Sequence, residues 1–207
     1  MTSRIGWIEV SKAAGIAVFV GIIALAFLGP RAPVQAEVPG PVYVGSRKCK
    51  KCHRKQHKSF EKTKMAGSFT ILAPGERADA KTKAGLDPNA DYRTDDKCLK
   101  CHTVGFGHEG GFQSGMDLAE AEKAELLGVG CEGCHGPAGG WLQDGIHDKD
   151  LKDEAVKAER MPQMEELGFA PKPEEKNCTG CHNDESPNFQ AFDFEKRKDE
   201  GTHEHFK

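Results

Sequence analysis

The longest unbroken apolar run lies near the start of the chain. Residues 13–29, AAGIAVFVGIIALAFLG, carry no charge and follow a short segment containing Arg4 and Lys12. Next comes PRAPVQAEV, where Val34 and Ala36 stand where an A-x-A-like processing site needs small residues. A basic start, an apolar centre and a small-residue site together predict a secretory signal peptide over residues 1–36. Left uncleaved, the same run is at the short limit of a spanning helix and would act as an N-terminal anchor. Either way residues 37–207 are expected in the periplasm, as one domain. Beyond the run the pattern is polar and broken. A helical pattern covers residues 46–64. DLAEAEKAELLG (117–128) has an acidic first turn and a closing glycine, and DKDLKDEAVKAER (148–160) is similar. Residues 73–97 read as a polar loop with a short helix, and Pro171 and Pro173 interrupt the chain late. Period-two alternation is weak. The predicted class is mostly α, with short helices and long irregular connections.

Composition sharpens this. Aromatic residues make up 7% of the chain, and it contains 24 glycines. An ordinary side-chain core would be thin, so something else must supply buried apolar mass. The net charge of −3 excludes little, but its distribution is uneven. Residues 47–64 hold Arg47, Lys48, Lys50, Lys51, Arg54, Lys55, Lys58, Lys62 and Lys64 against one acid, Glu61. That run is either a solvated helix face or a docking patch for an acidic redox partner. No nucleic-acid motif accompanies it.

The cysteines supply the missing mass. All 8 fall into C-x-x-C pairs, each followed at once by histidine. The pairs are Cys49/Cys52, Cys98/Cys101, Cys131/Cys134 and Cys178/Cys181, followed by His53, His102, His135 and His182. Disulfides are common in exported proteins and paired C-x-x-C also makes zinc ribbons, but neither requires that histidine. Covalent c-type haem does. Two thiols on one helical turn reach the two vinyl groups of a porphyrin, and the next residue sets an imidazole under the iron. Four haems c are therefore expected, wrapped by the chain and packed against one another.

Each iron then lacks a second ligand. Outside the motifs stand His57, His108, His147, His203 and His205, with Met65, Met116, Met161 and Met164. His57 lies one helical turn beyond His53 and cannot cross its own haem. For His57 and His108 a surface position is expected.

The first motif with Met65 after it, LDPNADY (86–92), GFGHEGGF (105–112), GVGCEGCHGP (128–137) and HEHFK (203–207) together resemble the tetrahaem cytochrome c-554 family. The likeness covers most of residues 45–207. It implies a compact, mainly helical protein with haems stacked in pairs, relaying electrons between periplasmic redox partners. It makes His147 the distal ligand of the haem on His53, and His203 that of the haem on His182, with His205 beside it. It leaves the haem on His102 five-coordinate. Met65 stands where the family has a histidine ligating the haem on His135, so a methionine ligand is expected there. The segment between the fourth motif and His203 is shorter than in the family. The expected function is electron transfer rather than enzymatic turnover. The rival is a small reductase acting on nitric oxide, nitrite, hydroxylamine or peroxide at the open iron on His102.

Overall fold

A computed structural model describes residues 41–204, and these fall within one compact unit. The apolar segment expected as a signal peptide, and His205, lie outside the described residues. The elements are short helices: α1 Ser46–Lys50, α2 Arg54–Phe60, α3 Ala78–Lys83, α4 Asp96–His102, α5 Leu118–Ala124, α6 Glu132–His135, α7 Glu154–Glu166, α8 Glu175–Thr179 and α9 Phe194–Arg197. Two 3₁₀ turns, Thr70–Leu72 and Lys149–Lys152, join them. Among the described residues the only β pairing is an isolated bridge between Thr103 and Leu127. None of their helices is long and apolar enough to cross a membrane.

Helix starts follow the acidic signals in the sequence. Asp95, Asp117 and Asp153 each turn a carboxylate onto free backbone N–H groups at the first turns of α4, α5 and α7. Two expectations shift. The helical pattern over 46–64 is broken into α1 and α2, because the first motif turns at 51–53 and His53 takes a non-helical φ of −102° and ψ of 46°. The helix expected over 117–128 stops at Ala124 instead of running to Gly128. Glu125 adopts the left-handed conformation with φ 57°, its carbonyl accepts from Ser46, and Leu126 is released into the core.

Buried apolar side chains form two small clusters. One gathers Phe69, Leu72, Leu99, Val104, Phe112, Ala121 and Leu126, and the other Ala138, Trp141 and Met164. Between them a buried carboxylate does the work of a strand. Glu132, inside the third motif, is 3% exposed and accepts from Val44, Gly45 and Ala138 N–H at 2.8–3.3 Å. Burial pushes its pKa up, against the pull of those donors. Glu132 thus ties the lead-in to the third motif. Glu132→Ala strands three backbone donors at once, and a loss of roughly 3–5 kcal/mol is expected. Denaturant unfolding followed by circular dichroism measures it, and a loss under 1 kcal/mol would mean that water replaces the carboxylate.

Candidate haem-binding site

Two motif histidines, His102 and His135, are held in the tautomer a metal needs. His102 Nδ1 lies 2.6 Å from the Ser68 carbonyl, and His135 Nδ1 lies 2.8 Å from the Ala170 carbonyl. A carbonyl only accepts, so each Nδ1 carries the proton and each Nε2 keeps its lone pair for a metal. Burial lowers the pKa of His53, His102, His147 and His182. Each is thereby biased towards the neutral, ligating form.

Two motif rings face a second imidazole. His53 and His147 have centroids 5.8 Å apart, and His135 and His203 are 6.1 Å apart. Two imidazoles sharing one metal at roughly 2 Å from each nitrogen have centres roughly 6 Å apart. The ring that faces His53 is thus His147. The ring that faces His203 is His135. The short C-terminal segment turns back through α9, and Glu204 N–H donates to Ser59 Oγ at 2.9 Å. That turn carries His203 to His135, the position expected for Met65. Met65 is half-buried instead beside Gly201, where an added Cβ would come within 3.2 Å of its Cγ and 3.7 Å of its sulfur. His182 stacks on Phe192 at 4.7 Å, and the Arg197 guanidinium covers that phenyl ring.

The attachment cysteines make a continuous series. The first and third motifs meet where the Cys131 N–H donates to Ser46 Oγ at 2.9 Å, at the start of α1. Burial first, then the charges of Cys178 and Cys131, pushes Cys134 up to about 11. Lys100 pairs with Glu185, which brings the second and fourth motifs together. The motifs therefore neighbour one another in the order first, third, fourth, second.

The fit of haem to this frame is visible in its polar atoms. Among the described residues two buried side-chain polar atoms lack a hydrogen-bond partner, Ser68 Oγ and Trp141 Nε1. Ser68 holds His102 through its carbonyl, and the Trp141 ring lies 5.3 Å from His147. Both orphans thus sit beside candidate axial histidines, where porphyrin would complete the packing.

Two other histidines resolve differently. His108 is exposed, as expected. His57 is not: it is 7% exposed, with Nε2 2.6 Å from Glu125 and Nδ1 3.5 Å from Glu61. It clamps α2 to the end of α5. Sequence reasoning missed this because Glu125 is far from it along the chain.

Residues 48–136 match the family model described as cytochrome c554 and c-prime. The chain is 35% identical over 144 residues to cytochrome c-554 of Nitrosomonas europaea, a match covering 68% of this chain and 57% of that protein. The chain thus spans less than two thirds of that relative's length. The structure of reduced cytochrome c554 from the same organism superposes with a TM-score of 0.64 at 29% identity, covering 81% of this chain and 87% of the other. The chain belongs to the cytochrome c554 family. Its mostly helical fold is the cytochrome c554 fold. As a cytochrome of this family it is a multihaem c-type protein.

Proposed function

We propose that this cytochrome is a periplasmic electron carrier that passes electrons along four haems without transforming a substrate. The observation that carries the reading is the unbroken neighbour order of the motifs: Cys131 N–H bonds Ser46 beside the first motif, α6 of the third packs on α8 of the fourth, and Lys100 of the second pairs with Glu185 after the fourth. Bound haem supplies the one-electron chemistry, and the chain supplies attachment, axial ligands and burial. Cys49 and Cys52, Cys98 and Cys101, Cys131 and Cys134, and Cys178 and Cys181 hold the porphyrins. His53 with His147 and His135 with His203 would hold two irons between them, and His102 and His182 would hold the other two. Ser68 and Ala170 orient His102 and His135 through Nδ1. In a test by rapid reduction with less than one electron per protein, the electron should distribute over the haems in one fast phase. A haem that fills alone and slowly would break the relay.

The reductase reading needs acid or base groups over the iron on His102. Ser68 does not supply them, because its carbonyl binds the proximal imidazole.

The first motif is one end of the series, and it lies in the basic segment. Arg47, Lys48, Lys50, Lys51 and Arg54 are exposed around the first motif. Lys123 of α5 joins Arg47, Lys48 and Lys51 around one concavity. This supports an acidic redox partner docking where the first haem lies. Exposed charges are screened beyond about 8–10 Å at physiological salt, so the bimolecular rate should fall as salt rises. Replacing Lys48 and Lys51 by Gln should flatten that dependence in stopped-flow measurements. A rate indifferent to salt would leave the segment as a solvated face. Export with cleavage after Ala36 completes the proposal, and the N-terminal residue of the protein recovered from the periplasm tests it.

A further inference from the structure

Trp141 is 4% exposed, and its indole nitrogen is one of the two orphaned polar atoms. An indole N–H can only donate, and leaving it buried without an acceptor costs about 1–3 kcal/mol. The ring packs with Ala138 and Met164 against Leu142, Ile146 and Phe169, all apolar. It meets Phe169 edge-on at 4.7 Å and lies 5.3 Å from His147 at an interplanar angle of 59°. His147 in turn faces His53 at 5.8 Å. A c-type haem between those two histidines has its vinyl groups consumed by thioether bonds. The hydrogen-bond acceptors left on its periphery are the propionate carboxylates.

We propose that Trp141 Nε1–H donates a hydrogen bond to a propionate of the haem held between His53 and His147. The inference rests on the haem reading above and adds a residue that tunes one site. A propionate's negative charge favours ferric iron. A donor that partly offsets that charge favours the ferrous form, so Trp141 raises the potential of this haem above its value without the bond.

The test uses the haem-loaded protein. The chain has 2 tryptophans, and the other is Trp7 in the expected signal segment, so the processed protein reports on Trp141 alone. Ultraviolet resonance Raman of the unsubstituted protein should show a strongly hydrogen-bonded indole N–H, protected from exchange in deuterated buffer. In a spectroelectrochemical titration, Trp141→Phe should lower one midpoint of four and leave the rest. That midpoint should belong to the haem that becomes high-spin in His147→Ala. Phenylalanine keeps the ring contact with Phe169, and the Raman result does not depend on any variant. An indole that is unbonded or exchanges at solvent rate overturns the proposal. So do four unmoved midpoints in Trp141→Phe, or a shift at a different haem. Failure of the haem reading would look different, because the unsubstituted protein would then lack haem altogether.

Discussion

Replacing His203 by alanine is expected to turn one low-spin iron high-spin. The oxidised protein should gain the electron paramagnetic resonance signal of one additional five-coordinate haem, and the reduced protein should bind one more equivalent of carbon monoxide. The reason is geometric. His203 lies 6.1 Å from His135 with ring planes 28° apart, and His135 is fixed from behind by the Ala170 carbonyl. Removing the distal ring leaves the proximal one in place, so the haem stays attached while its second face opens. The haem on His182 should be unaffected, which reverses what the family resemblance implied. Repeating the substitution in a chain with Cys178 and Cys181 changed to alanine separates the two assignments. A surviving spin change places His203 on the third haem, and its disappearance places it on the fourth. Met65→Ala serves as the companion and should leave the iron on His135 low-spin.

Gly136→Ala should abolish the folded state or come close to it. Gly136 follows His135 directly, with φ 82° and ψ 165°, a region occupied almost only by glycine. An added Cβ would stand 2.1 Å from the Gly168 carbonyl oxygen. That oxygen belongs to the turn that leads to Phe169 and Ala170. Phe169 stacks on His135, and Ala170 donates its N–H to the His135 carbonyl while its own carbonyl accepts from the His135 ring. The methyl therefore pays twice, once in backbone strain of about 1–3 kcal/mol and again by pushing away the segment that orients an axial ligand. Gly75→Ala is the control. It shares a positive φ of 78° but meets nothing within 4 Å, so its cost should be strain alone. Thermal unfolding of the two variants separates these contributions. Equal losses would mean that the contact with Gly168 relaxes freely.

Much of this was legible in the sequence for local reasons. The C-x-x-C-H motifs declare themselves by covalent chemistry. Asp117 announces a helix start because a capping carboxylate acts on N–H groups two or three residues away, whereas the helix expected over 148–160 starts only at Glu154, after a 3₁₀ turn over Lys149–Lys152. What escaped was set by contacts distant in sequence. The end of α5 moved because Glu125 answers Ser46 and His57, and no local signal marks that. His57 was read as a surface residue because its carboxylate lies on another helix. The partner of His203 depends on a hydrogen bond between Glu204 and Ser59 near the other end of the described chain. Glu132 was invisible as an anchor because the motif accepts any residue at that position, and only the folded lead-in supplies its donors.

The account stands or falls on covalent haem at every motif. Intact-mass spectrometry of the protein purified from the periplasm of a host that matures c-type cytochromes tests this most directly. The predicted mass is that of the chain beginning at Glu37 with four haems attached, each bound through one of the four cysteine pairs. A haem-free chain whose cysteines hold zinc or form disulfides would contradict it.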